Sequence, residues 1–226
     1  MARPFFRPSP ATPVAAHYAR TPLPAGRTPW RDARFCVVDL ELSGLDARRD
    51  EIISFAAVPI DAGRLIVGES LYGLCRPTQP LPEKSVLVHG IRTVDLVDAP
   101  ALEEAIQPLI AAMTGRVLVA HVARVERSFL APVLRRQGVR LHQPILDTYE
   151  LARLLAFQRD GPSWSPTLDE VAQDLKLPVH RRHHAFGDAL TTAQVFVALA
   201  SHLEEFGPET VRSLAQARER ARTNMY

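Results

Sequence analysis

From residue 34 onward the chain is built of short apolar runs separated by polar punctuation, whereas residues 1–31 show neither strand alternation nor helical spacing. The run Phe35-Cys36-Val37-Val38 opens a strand predicted over 34–41, and Ile52-Ile53-Ser54-Phe55-Ala56 opens a second over 52–60. Asp61-Ala62-Gly63-Arg64 has hairpin-turn chemistry, so a third strand is expected over 65–75. Three neighbouring strands of this kind make a meander. After a Pro-rich connection, apolar residues recur at helical spacing over 101–113, and Gly115 closes that helix. A short buried strand over 116–121 follows, then a helix over 126–137 ended by Gly138, a strand over 144–148 and a helix over 149–157. A loop with Gly161, Pro162 and Pro166 leads to a helix starting at Thr167. A long amphipathic helix over 190–206 and a charged helix after Pro208 complete the pattern. Strands first in a meander and then alternating with helices predict an α/β fold with a central mixed five-stranded sheet flanked by helices.

The same pattern divides the chain. Residues 1–31 carry seven of its 19 prolines and are expected to form a poorly ordered or surface-draped arm. Residues 32–206 form the folded domain and 207–226 a helical extension. Formal net charge is +2, but the arm holds Arg3, Arg7, Arg20, Arg27 and Arg31 and no acid, leaving 22 basic against 25 acidic residues elsewhere. That balance neither supports nor excludes a polyanionic partner. The arm's prolines argue against an amphipathic transit helix, and two readings of it stand: a phosphate-touching arm or an inert extension. No apolar run is long enough for a membrane span, and Cys36 and Cys75 are too few for a disulfide framework, so a reducing cytoplasm is expected.

Chemistry enters at the end of the first strand, in Asp39-Leu40-Glu41-Leu42-Ser43-Gly44. Side chains at i and i+2 of a strand share a face, so Asp39 and Glu41 stand side by side just before a glycine turn. Adjacent carboxylates repel unless a cation neutralises them, and Mg²⁺ and Mn²⁺ prefer such oxygen ligands. Three further segments are acidic. His121 ends a strand and Glu126 follows five residues on, where a helix dipole alone would favour an acid. Asp147 ends the last strand, where capping the next helix is its expected job. His183 and Asp188 are five apart as a loop enters the long helix.

As an ordered set these segments resemble the DnaQ-like 3′–5′ exonucleases of the DEDDh type, the group typified by the epsilon subunit of DNA polymerase III, with a ribonuclease H-like fold. Asp39-Leu40-Glu41-Leu42-Ser43-Gly44 is similar to the family's first motif, Asp-x-Glu-(Thr/Ser)-(Thr/Ser/Ala)-Gly, and Val88-His89-Gly90-Ile91 to its His-Gly-Ile. His183-His184-Ala185-Phe186-Gly187-Asp188 matches His-x-Ala-x-x-Asp at every fixed position. The resemblance spans residues 34–200. It departs in the second motif, where His121-Val122-Ala123-Arg124-Val125-Glu126 stands against His-Asn-x-x-Phe-Asp. The His and the spacing persist, Asn and Phe are both Val, and Glu126 sets its carboxylate one methylene farther out.

The resemblance implies metal-dependent, two-metal hydrolysis that releases mononucleotides from the 3′ end of single-stranded or frayed DNA, in proofreading or repair. It assigns Asp39, Glu41 and Asp188 to two Mg²⁺ or Mn²⁺ ions, Glu126 to the same ions directly or through water, and His183 to general-base duty. Leu42, Ser43, Gly44, His89 and His121 are its candidates for the substrate pocket. His121 also reads as a packed strand-end residue. Arg181 and Arg182 read either as a solvated loop or as phosphate contacts, and Phe55, Phe129 and Trp164 as core. Two alternatives remain: RNA trimming, which turns on contacts to the 2′-hydroxyl, and a nucleic-acid- or polymerase-binding module in which Glu126 marks lost metal binding.

Overall fold

In the structure, a computed structural model describing residues 9–159 and 165–216, strand β1 (Phe35–Leu42) is the central strand of a mixed sheet. β2 (Ile52–Asp61) pairs with it antiparallel, and β3 (Arg64–Leu65) and β4 (Leu71–Leu74) both add to β2 antiparallel. On its other side β5 (Val117–Ala120) runs parallel to β1, and β6 (Ile145–Asp147) parallel to β5. The expected third strand is thus split, because a 3₁₀ turn at Val67–Glu69 carries the chain out of the ladder between β3 and β4. The two pieces share one strand position beside β2, so the sheet keeps the expected five positions.

Alternation along β1 divides the core into two layers. Phe35 and Val37 belong to a cluster with Val58, Val119 and Leu146, covered by α6 (Thr148–Gln158), α7 (Leu168–Asp174) and α8 (Ala185–Glu204). Cys36, Val38 and Leu40 face the opposite layer. There they meet Tyr18 of α1 (Pro13–Arg20), Leu109 and Met113 of α4 (Gln107–Met113), and Phe129 and Leu130 of α5 (Arg124–Arg136). Phe55 and Phe129 are buried as expected, while Trp164 lies outside the described residues.

Three helices differ from expectation. α2 (Glu83–His89) occupies the Pro-rich connection between a proline N-cap, Pro82, and a left-handed C-cap, Gly90. The predicted 101–113 helix breaks into α3 (Leu102–Ala105) and α4, because Pro108 has no N–H to continue the ladder and its ring crowds the preceding turn. α8 begins at Ala185 rather than at 190 and so includes Asp188. Its first turn lies tight against the entering loop, since a Cβ on Gly187 would sit 2.0 Å from the Arg181 carbonyl oxygen.

Residues 9–31, within the stretch expected to be a poorly ordered or surface-draped arm, are ordered and packed on the domain. Thr12 caps α1 by accepting the Ala15 N–H at 3.1 Å, and Pro13 occupies the first turn, where a missing N–H costs nothing. Ala15 and Tyr18, one turn apart, are fully buried, and the Tyr18 hydroxyl is hydrogen-bonded to Gln143. Farther on, Trp30 is fully buried, donates from Nε1 to Glu204 at 2.6 Å, and packs edge-on against Phe196. The expected charged helix after Pro208 is α9 (Val211–Ala215), whose Val211 and Arg212 N–H groups donate to the carbonyls of Thr28 and Gly26; residues 217–226 and 1–8 lie outside the described residues. Tyr18→Ala should therefore cost about 3 kcal/mol in urea denaturation. The exposed neighbour Arg20→Ala should stay within about 0.5 kcal/mol, and equal small effects would restore the loose arm.

Candidate active site

The face of β1 that carries Phe35 and Val37 into the core continues, two residues at a time, into Asp39 and Glu41. The apolar row therefore ends in two carboxylates beneath the first turn of α8. That turn delivers Asp188, and the side-chain oxygens of Asp39, Glu41 and Asp188 come within 4.8 Å of one another. Glu41 and Asp188 are buried and Asp39 half-buried. Asp188 Oδ2 accepts the backbone N–H of His183 at 2.9 Å, which ties the preceding loop to the site.

Electrostatics show the cost of this grouping. Burial and then the charges of Glu126, Asp188 and Glu41 hold the Asp39 carboxyl well above its ordinary range. Burial and Asp188 push Glu41 up to about 7. Burial also raises Asp188, against the pull of Arg182. Glu126 stands apart from the close trio but reaches it by charge, since its nearest effect is on Asp39. It lies in the first turn of α5, burial pushes it up to about 8, and its Oε2 is buried with no hydrogen-bond partner. Three close hard oxygen donors and an orphaned carboxylate oxygen nearby fit a divalent cation, which supplies the missing positive charge.

Asp147 caps α6 as expected, accepting from the Tyr149 N–H at 3.0 Å, and it does more. Its two oxygens also accept the N–H groups of Val122 and Ala123, at 2.9 and 3.0 Å. These bonds hold the turn that swings the chain from β5 into α5 and so sets Glu126 in place. Val122 has φ +61°, a left-handed conformation that a β-branched residue avoids and that Asn tolerates.

The remaining predicted residues sit as follows. His183 is exposed at φ +54° on the loop before α8. His184 instead stacks on Tyr72, with ring centroids 4.6 Å apart. His89 ends α2 buried; its Nδ1 accepts the Ile91 N–H at 3.0 Å, its Nε2 has no partner, and burial followed by His183 pushes its imidazole down. His121 contacts Thr148 Oγ1 at 2.9 Å, and burial with Arg182 pushes it down to about 4, so it is neutral. The Ser43 hydroxyl serves its own loop, accepting the Glu51 N–H at 2.9 Å and donating to Asp50 at 3.3 Å. Gly44 is required there because a Cβ would lie 2.4 Å from an Asp50 oxygen. Leu42 packs into the opposite layer, past an irregularity in the pairing at Glu41 and Leu42. Sequence reasoning missed Asp169, which shares the guanidinium of Arg182 with Asp188. Its spacing from the third motif follows no pattern that would single it out.

A mixed sheet with three acids gathered at the end of its central strand defines the class: a ribonuclease H-like domain whose acidic cluster is consistent with divalent-metal binding. The sequence model of the exonuclease family matches residues 36–196, and the chain belongs to that family, among its DnaQ-like DEDDh members. It is 32% identical over 177 residues to the Thermotoga maritima protein "DNA polymerase III PolC-type", covering 78% of this chain and 12% of that one. It is 35% identical over 186 residues to the Rhodobacter capsulatus "DNA polymerase III subunit epsilon-like protein", covering 81% and 26%. The chain thus spans about a quarter or less of these relatives. Among solved structures, Exonuclease X in complex with 5′ overhanging duplex DNA superposes with a TM-score of 0.62 at 20% identity, covering 81% of this chain and 99% of that one, a likeness of fold. Among the described residues, no helix is long and apolar enough to cross a membrane.

The strained turn makes a prediction. Val122→Asn relieves a left-handed valine and should stabilise the protein by about 1 kcal/mol in urea denaturation. A loss of stability would mean that the valine side chain is needed for packing.

Proposed function

We propose that the chain is a metal-dependent 3′–5′ exonuclease that releases mononucleotides from the 3′ end of single-stranded or frayed DNA. The observation that carries this reading is the convergence of Asp39, Glu41 and Asp188 at the end of β1, with the charge of Glu126 acting on Asp39 and the His183 loop bonded to Asp188. Asp39, Glu41 and Asp188 would hold divalent ions, with Glu126 as a fourth acid, direct or through water. Bound there, Mg²⁺ or Mn²⁺ would lower the pKa of a water and offset charge on the phosphodiester.

The chain's own groups supply the rest. His183, exposed and tethered through its N–H to Asp188, would take the proton of the attacking water. His121 and His89, one neutral by burial and the other shifted the same way, can hydrogen-bond a terminal nucleotide without adding charge. Asp147 keeps Glu126 oriented by holding the turn before it. DNA is favoured over RNA because the relatives are named as DNA polymerase III proteins and Exonuclease X is described on duplex DNA. Work beside a polymerase, in proofreading or repair, belongs to the same proposal.

Digestion of a 5′-labelled single-stranded DNA and its RNA counterpart, with Mg²⁺, Mn²⁺ or EDTA, tests this. A ladder that shortens from the 3′ end, absent in EDTA and with Asp188→Ala, is expected. Preference for the RNA strand would move the substrate to RNA, and binding without cleavage in any metal would make the chain a binding module. Glu126→Gln keeps shape but loses charge and should slow cleavage by about 10- to 100-fold. An unchanged rate would remove Glu126 from the site.

A further inference from the structure

The acids of the site already have a cation among them. Arg182, on the loop before α8, is half-buried; its Nη1 pairs with Asp188 Oδ1, and its Nε contacts Asp169 Oδ1 on α7. Its charge acts on Asp39, Glu41 and Asp188 alike, pulling each carboxyl down against the repulsion of the others. The contact with Asp169 is a close ion pair, Nε to Oδ1 at 2.5 Å, so the guanidinium is shared between two carboxylates. Asp169 stands outside the close trio, on the more exposed side of the guanidinium. The backbone beneath cannot slide, because the Arg181 carbonyl is pressed against Gly187 and the His183 N–H is bound by Asp188. What can move is the side chain alone.

We propose that Arg182 is an exchangeable counter-cation, shared by Asp188 and Asp169 when no divalent ion is bound and held by Asp169 alone when one enters. This rests on the reading of the trio as a metal centre. The physical ground is competition: a guanidinium and a divalent ion beside one carboxylate repel each other, so each weakens the other's hold by the same factor. Asp169 gives the displaced guanidinium a partner, which lowers the cost of displacement. Arg182 is then a positioning residue that keeps Asp39, Glu41 and Asp188 folded together between metal-loaded states.

The two partners predict opposite effects. Mn²⁺ binding is measured on the full chain by the electron paramagnetic resonance of free Mn²⁺, without substrate, together with thermal unfolding in EDTA. Arg182→Gln removes the competitor, so Mn²⁺ should bind roughly fivefold or more tightly, and the Tm in EDTA should fall. Asp169→Asn leaves the guanidinium only Asp188, so Mn²⁺ should bind several-fold more weakly. Arg182→Gln protein that is folded by circular dichroism and binds Mn²⁺ equally or less tightly overturns the proposal. If that variant does not fold, Asp169→Asn decides: weaker binding supports the exchange, and equal or tighter binding refutes it. Wild-type protein that binds no Mn²⁺ overturns the metal-centre reading itself, a result seen before any variant is compared.

Discussion

Three carboxylates, Asp39, Glu41 and Asp188, meet at the end of one strand within the charge of a fourth, Glu126, and most of the surrounding architecture exists to keep them there. Asp39 and Glu41 share a face because strand geometry leaves no alternative, and that face is the one α8 covers. The same row that buries Phe35 and Val37 must therefore end under the helix that brings Asp188. Like charges in a half-dry site oppose folding, as the raised carboxyls of Asp39, Glu41 and Glu126 record. The fold carries this repulsion on two well-packed layers, one on each face of the sheet.

Neighbouring devices share the load. Asp147 fixes the turn after β5 by accepting two of its N–H groups while capping α6 with a third bond, and that turn tolerates a left-handed valine because it is held so firmly. Gly187 lets the loop 181–183 lie against α8, so that Arg182 reaches Asp188 while His183 stays at the surface. The N-terminal segment braces both layers, through Tyr18 on one and Trp30 on the other. Asp147, Arg182 and the N-terminal segment lie outside the three motifs, yet they help decide whether the motif residues meet.

What could be read in the sequence followed physical period and order. Asp39 and Glu41 were legible because alternation assigns a face residue by residue, and Asp188 because its motif is complete. Glu126 was legible despite its extra methylene, since the spacing from His121 survives. Short elements were harder. α1 has only two turns, so two buried residues are all the periodicity it shows, and the Thr12-Pro13 cap was its clearest signal. α2 lies between Pro82 and Gly90, residues that equally well bound a loop. Ser43 and Gly44 matched a motif, but their visible bonds and contacts serve the turn with Asp50 and Glu51. The pairing of Arg182 with Asp169 joins the loop before α8 to α7, and no local pattern encodes such a contact.

The account's central claim is that these acids are gathered for a cation and oppose the fold without one. The stability of Asp39→Asn, measured by urea denaturation in EDTA and again in saturating Mn²⁺, tests it most directly. Removing one charge from the cluster should make the variant more stable than wild type in EDTA, by about 1 kcal/mol. In Mn²⁺ the order should reverse, because wild type gains binding energy that the variant has lost. A variant less stable than wild type in EDTA, with no reversal in Mn²⁺, would mean that Asp39 is a structural residue and that the cluster was not built around a metal.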